Sequence, residues 1–208
     1  RRPRMTKRLF DLAAAGLGLI LAAPVLVVAA LAIKLDSPGP VLFAQERIGR
    51  GMQPFRIYKL RTMRSGAGGP EVTSEGDPRI TPVGRVLRAA RIVEIPQLVN
   101  GLKGEVSLVG PRPEVARYVE AFEEQYTEIL EVLRPGITGA ATLRYRDEAE
   151  LLAAVADRDG DPEQAYLEQV LPEKLRLERL YRERRSFWLD LRMIVATLFG
   201  RPGPDLES

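Results

Sequence analysis

The residues best placed to do chemistry lie between Arg88 and Glu114, in the stretch RAARIVEIPQLVNGLKGEVSLVGPRPE. It sets a carboxylate, Glu94, just ahead of a helical pattern and an arginine, Arg112, between two prolines. Ile95, Leu98, Val99 and Leu102 fall at i, i+3, i+4 and i+7, one face of a helix, and Gly104 is its expected stop. Pro96 belongs in the first turn, where its missing N–H costs nothing. Glu94 then stands at the positive end of a helix dipole beside unpaired N–H groups, a setting that favours carboxylates and phosphates. Glu105 to Val109 is short, apolar and β-compatible. Gly110-Pro111-Arg112-Pro113 follows and holds Arg112 on stiff backbone suited to bidentate phosphate binding. A capped, half-buried helix followed by a turn, with Glu94 capping and Arg112 in solvent, fits the same spacing.

Composition narrows the chemistry further. The 208 residues contain no histidine and no cysteine, so disulfides, thiolate metal sites, Ser-His and Cys-His catalysis and the usual zinc sites are excluded. Carboxylates, Lys, Arg, Tyr, hydroxyls and a hard cation held by oxygen remain. With 31 basic and 28 acidic residues the net charge is only +3, so no nucleic-acid partner is implied by totals. No internal repeat is evident, and the length suits one domain with an appendage.

The elements that must position these groups begin with the appendage. Leu12 to Ile33 is a run of 22 uncharged residues, preceded by Arg1, Arg2, Arg4, Lys7 and Arg8 and followed by Lys34. At ~1.5 Å per residue it can just cross a ~30 Å hydrocarbon core, and it exceeds the ~7–15-residue apolar region of a signal peptide. Pro24 sits at its middle, where proline removes a donor and kinks a helix. Two readings fit: a single kinked span, or two half-helices forming a hairpin that dips into one leaflet, with both positive flanks on the cytoplasmic side.

Beyond Asp36 the chain is soluble in character. Val41 to Ala44 is a short strand or helix, and Phe55 to Met63 alternates as a half-buried strand. Arg56, Tyr58 and Lys59, with Arg61 close by, form either a basic wall for a phosphorylated ligand or a solvated edge. Ser65 to Asp77 is loop-like, with Gly66 to Pro70 its most mobile part, and it lacks the Lys-Ser/Thr ending of a P-loop. Val83, Val86 and Leu87 start a helix carrying Arg85 and Arg88. Glu114 to Leu133 reads as one helix. Asp157 to Pro162 is a polar loop ending in an Asp161 cap and Pro162, and the next helix carries Leu167, Val170, Leu171 and Leu175. The tail Phe187 to Phe199, with Trp188 near its start, suits an interfacial helix on anionic lipid or a terminal helix packed on the core.

Taken together, the proline-broken apolar segment, Phe43-Ala44-Gln45-Glu46-Arg47-Ile48-Gly49, Lys59-Leu60-Arg61-Thr62-Met63, Asp77-Pro78-Arg79-Ile80-Thr81, Glu94-Ile95-Pro96-Gln97-Leu98, Leu108-Val109-Gly110-Pro111-Arg112-Pro113 and Arg134-Pro135-Gly136-Ile137-Thr138-Gly139 resemble the bacterial sugar transferases, monotopic polyprenyl-phosphate phosphoglycosyl transferases. The resemblance covers nearly the whole chain in order. It implies an α/β fold, mostly α with a small sheet: a re-entrant membrane helix-break-helix over 1–35, broken at Pro24, and a compact cytosolic catalytic domain over 36–208 with interfacial amphipathic helices. It also implies transfer of a phosphosugar from a UDP-sugar to undecaprenyl phosphate, release of UMP, a need for Mg²⁺, and placement on the cytoplasmic face of the bacterial inner membrane at the first membrane step of glycan assembly. In the family an aspartate of an Asp-Glu pair attacks the β-phosphate and forms a phosphosugar-enzyme intermediate.

That aspartate aligns with Val93, while its partner is present as Glu94. Valine has no lone pair to attack phosphorus, and losing a covalent nucleophile costs on the order of 10⁴ to 10⁶ in rate. The resemblance assigns Mg²⁺ to Glu94, the diphosphate to Arg88 and Arg112, and the rest of a basic pocket to Arg146, Lys59 and Arg61, with Arg144 a further candidate. Two other classes stay open: a scaffold that binds UDP-sugar or lipid phosphate without turnover, and a membrane-anchored basic domain that binds anionic lipid or nucleic acid.

Overall fold

The computed structural model describes residues 2–68, 76–148, 151, 152, 154 and 161–206. Part of the expected Gly66 to Pro70 loop and most of the polar loop from Asp157 fall outside the described residues. Among the described residues the fold is mostly helical with two small sheets.

Helix α1 (Arg2–Asp36) carries the apolar run and is long and apolar enough to cross a membrane. The helix-break-helix expectation is corrected here: α1 is continuous, with Pro24 inside it. Proline removes one backbone donor and its ring crowds the preceding turn, which bends a helix without ending it. Polar side chains fasten α1 to the rest of the chain at both ends. Near its start, Lys7 donates to Val109 O (3.0 Å) and pairs with Asp190, Arg8 donates to Gly101 O (2.7 Å), and Asp11 accepts from Ser107 Oγ (2.7 Å). Near its end, Arg61 donates to Ile33 O (3.3 Å), Ser37 O (2.7 Å) and Pro38 O (2.6 Å). Between these fastenings α1 packs on α3 (Gln97–Lys103), where a Cβ on Gly101 would lie 3.4 Å from Ala15 Cβ. Leu17, Ile20, Leu21, Val25, Val27, Val28 and Leu31 face away from the fold and are exposed.

Strands β1 (Leu42–Ile48) and β2 (Pro54–Leu60) form an antiparallel hairpin in the register Phe43↔Lys59 and Arg47↔Phe55. Successive side chains on a strand alternate between faces, so Lys59 cannot share a face with Arg56 and Tyr58. The expected single basic wall is therefore split. Tyr58 accepts from Lys103 (3.1 Å) on one side, while Lys59 reaches Glu94 on the other. Helix α2 (Pro82–Ala89) starts on Thr81, whose hydroxyl accepts from Gly84 N (3.0 Å), with proline in the first turn. It ends with Arg91 at φ 57°, where Ile92 N bonds Leu87 O (3.3 Å) and Arg91 N bonds Arg88 O (2.9 Å). This is a Schellman ending with arginine in the left-handed position usually given to glycine.

Helix α3 ends at Gly104, as its sequence implies, in the left-handed region at φ 86°. Its apolar stripe behaves differently from expectation. Gln97, Asn100 and Gly101 are the buried residues, whereas Val99 and Leu102 are exposed. Asn100 replaces an apolar anchor with hydrogen bonds: its Nδ2 donates to Arg56 O and to Glu105 Oε2, each at 2.7 Å. Pro96 is the residue that precedes α3, one place earlier than expected.

Strand β3 (Ser107–Val109) pairs in parallel with β4 (Gly136–Thr138). The Pro-Arg-Pro motif is tied to the Arg134 to Gly139 motif through this pair, with Gly110 N bonded to Thr138 O (3.0 Å) and Gly136 N to Pro111 O (2.8 Å). The backbones pass so closely that a Cβ on Gly136 would stand 2.1 Å from Gly110 N. Gly136→Ala is expected to destabilise the fold by about 3 kcal/mol, read as a lowered melting temperature, because the neighbour is backbone and cannot yield.

The expected single helix over Glu114 to Leu133 is two: α4 (Ala116–Ala121) and α5 (Glu123–Leu130), separated by Phe122 at φ −135°, ψ 40°. The periodicity survives the break because Tyr118, Val119, Tyr126, Ile129 and Leu130 all reach the core. Helix α6 (Ala140–Arg144) follows β4. Next, Asp161 caps α7 (Pro162–Ala165), which passes through a π turn (Tyr166–Val170) into α8 (Leu171–Arg184). Helix α9 (Phe187–Leu198) buries Met193 and Ala196 and exposes Trp188 and Leu198, with Phe187 edge-on to Phe10 of α1 at 5.3 Å.

Candidate active site

The site is built where the turn before α3 meets the end of β2 and the Pro-Arg-Pro segment. Val93 O accepts from Leu60 N (2.9 Å), which fixes the turn against β2. One residue on, Glu94 Oε1 receives Arg112 Nη2 at 3.0 Å and Lys59 Nζ at 3.2 Å. The three side chains are 29%, 34% and 19% exposed in that order, so the cluster opens to solvent on one side. Burial by itself would raise the Glu94 carboxyl, but the charges of Arg112 and Lys59 outweigh it and hold the group at about 2. The Arg112 guanidinium is raised above its ordinary value, first by Glu94, while burial pulls the Lys59 ammonium down against the opposing pull of Glu94. With Glu94 ionised the trio carries one surplus positive charge, which suits an anionic ligand.

Because the folded carboxyl lies at about 2 against an ordinary 4.5, its contribution to stability is complete above pH 4.5 and fades as pH falls towards 2. Glu94→Gln should abolish that portion of the acid sensitivity, worth at most about 3 kcal/mol, in melting curves taken across this window.

Val93 turns onto the apolar cluster of Leu60, Leu87, Ala29 and Ile33, where α1 meets α2 and β2. Position 93 is thus the point at which the charged trio borders the exposed apolar helix.

The other expected phosphate binders are placed elsewhere. Arg61 is 5% exposed and its guanidinium bonds Ile33 O, Ser37 O, Pro38 O and Ser65 Oγ, so it fastens the end of α1. Arg88 donates to Thr62 Oγ1 (3.0 Å), and its charged neighbours are Asp77 and Arg79. Arg146 donates to Ala196 O (3.3 Å) and Arg201 O (3.2 Å), where it caps the end of α9. Arg144 is exposed at the end of α6.

Behind the trio lies a buried network for which the spacing gives no signal. Glu114 accepts from Arg47 (2.9 Å) and Tyr166 OH (2.7 Å), and Lys174 reaches Tyr166 OH (3.3 Å) and pairs with Glu148. Arg47 and Glu114 lie in or beside the recurring motifs. Tyr166 and Lys174 lie on helices where periodicity marks only apolar positions.

The chain matches the model of the family described as bacterial sugar transferase over residues 2–201. It belongs to the bacterial sugar transferases. This is a transferase family, and relatives named for moving sugar phosphates onto undecaprenyl phosphate align along most of the chain. A UDP-glucose:undecaprenyl-phosphate glucose-1-phosphate transferase of Caulobacter vibrioides is 41% identical over 93% of the chain and 68% of its own length. A UDP-N-acetylgalactosamine-undecaprenyl-phosphate N-acetylgalactosaminephosphotransferase of Aeromonas hydrophila is 37% identical over 92% of the chain and 42% of its own. A UDP-glucose:undecaprenyl-phosphate glucose-1-phosphate transferase of Escherichia coli K12 is 35% identical over 94% of the chain and 40% of its own. Against the last two this bacterial sugar transferase spans less than half their length.

Proposed function

We propose that the chain is the membrane-bound catalytic module of a phosphosugar transferase that takes a UDP-sugar and undecaprenyl phosphate and releases UMP, with its nucleophile replaced by Val93. The observation that carries this reading is Glu94 clasped by Arg112 and Lys59, at 3.0 and 3.2 Å, beside an exposed apolar helix in a chain aligned with such transferases. Arg112 and Lys59 neutralise the diphosphate and take up charge as the phosphoryl group moves. An aspartate at 93 would form a bond to the β-phosphorus while the bond to UMP breaks. An oxygen of the lipid phosphate would then attack that phosphorus and free the carboxylate.

Mg²⁺ fits this arrangement in one mode. Among the described residues no three metal-ligating side chains cluster, and Glu94 would hold the cation in the mode in which Mg²⁺ binds through one carboxylate, substrate phosphates and water. When bound there it would draw charge from the leaving phosphate.

The attachment of α1 supports a re-entrant placement. Lys7 and Arg61 fasten opposite ends of α1 to one folded body, some 26 residues or about 40 Å apart along the helix. A perpendicular crossing would set these fastenings on opposite sides of the bilayer. A bent helix lying in one leaflet, with Trp188 and Phe187 at the headgroup level, keeps them on one side. By the charge of its flanks that side is the cytoplasmic face of the inner membrane.

A second reading has one observation in its favour. Val93 is well accommodated by its apolar neighbours, which suits a scaffold that holds UDP-sugar or lipid phosphate without turnover. The test is incubation with Mg²⁺, undecaprenyl phosphate and a panel of UDP-sugars, with UMP and retained ligand both measured. Binding with little UMP is the expected result for the chain as it stands, and failure to bind either a UDP-sugar or undecaprenyl phosphate overturns both readings.

A further inference from the structure

Arg112 also lines a small, partly open cavity of about 10 Å³, room for about one water molecule. Its wall includes Pro111, Arg112, Glu114, Tyr126, Lys174 and Glu178. Glu178, on α8, is 4% exposed, and among the described residues neither of its carboxylate oxygens has a hydrogen-bond partner. A buried carboxylate without donors is costly, so such a group persists either neutral or with a purpose.

The charges around it show why no partner is left. Arg47 and Lys174 are the buried cations behind the site, and each is already matched by a carboxylate, Arg47 by Glu114 and Lys174 by Glu148. Two cations and two anions balance there, and a third cation, Arg112, which lines the cavity, directs its guanidinium to Glu94, so none of the three is bonded to Glu178. The groups facing it are Arg112 and Glu114 from the Pro-Arg-Pro segment, Tyr126 from α5, and Lys174 and Tyr181 from its own helix. The N–H groups of Arg112 and Ala141 lie near enough to favour its charged form without bonding to it.

We propose that Glu178 is a positioning residue for Arg112: as a neutral carboxyl it fills the floor beneath Pro111 and Arg112 and, through one water in the cavity, holds that segment so that the guanidinium points at Glu94. The proposal rests on the reading of Arg112 as the phosphate-binding arginine only for what the positioning serves. Burial pushes the Glu178 carboxyl up to about 8, against the weaker downward pull of the Ala141 and Arg112 amides and of Lys174. When the segment opens and water enters, the carboxyl returns to its ordinary 4.5 and loses its proton. Opening therefore releases a proton between pH 4.5 and about 8, becomes about tenfold easier per pH unit across that window, and is indifferent to pH above it.

The experiment is amide hydrogen exchange on the full chain in nanodiscs, from about pH 5.5 to 9, corrected for the intrinsic pH dependence of exchange and read at Val109, Gly110 and Arg112. Protection should fall by up to tenfold per pH unit to about 8 and then level off, and Glu178→Gln, a neutral isostere, should remove the slope. A slope that persists in Glu178→Gln, or its absence from the parent chain, overturns the assignment. Should Glu178→Gln fail to fold, infrared titration of the buried carboxyl in the parent decides: a midpoint near 8 that coincides with the end of the exchange slope supports the role, and one near 4.5 overturns it. UDP-glucose binding on the same samples separates the two claims, since its loss at every pH would remove the transferase reading and leave the exchange result standing.

Discussion

Val93→Asp is expected to raise UMP release from the correct UDP-sugar by on the order of 10⁴ to 10⁶, the usual worth of a covalent nucleophile. The turn is already held in place by the bond from Leu60 N to Val93 O at 2.9 Å, which involves only backbone and survives the exchange. The new carboxylate would stand beside Glu94, a like charge, but within reach of the surplus positive charge of Arg112 and Lys59. It would also leave the apolar cluster of Leu60, Leu87, Ala29 and Ile33 against a polar group, so a stability loss of about 1–3 kcal/mol should accompany the gain. A folded Val93→Asp protein that releases no more UMP than its parent across the sugar panel would sink the assignment of position 93.

The second large effect belongs to Arg112. In the Val93→Asp background, Arg112→Ala should lower turnover by about 10²–10³, the scale seen when a group stabilising charge in the transition state is removed. Arg112→Lys should recover only part of this, because an ammonium keeps the charge but loses the planar fork. Arg112→Ala has a second signature. With Arg112 gone, the Glu94 carboxyl should climb from about 2 towards its ordinary value, because Arg112 supplies the larger of the two attractions that hold it down. Equal turnover for the parent and Arg112→Ala would mean that the phosphate is held elsewhere.

Much of the architecture is legible in local sequence because its causes are local. Thr81 followed by Pro82, Asp161 followed by Pro162, and Gly104 after Lys103 each start or stop a helix through bonds spanning a few residues. The alternation in Phe55 to Leu60 places β2, and the same period separates Lys59 from Tyr58. Where a pattern was compatible with two outcomes, long-range packing chose. Phe122 breaks the helix expected over Glu114 to Leu133, and the apolar stripe of α3 leaves Val99 and Leu102 exposed because Asn100 satisfies the buried side with hydrogen bonds.

The sequence by itself determined the family, the order of the motifs and the apolar helix, since each is written in residue types and spacing. Only the tertiary structure decided which of five cations meet Glu94. Arg112 and Lys59 do, whereas Arg61 closes the end of α1, Arg88 turns to Thr62, and Arg146 caps α9. An arginine's five donors satisfy a backbone carbonyl as readily as a phosphate, so its role is fixed by which acceptors the folded chain brings within about 3 Å. Those acceptors come from segments as far as 55 residues away, beyond the reach of any local pattern.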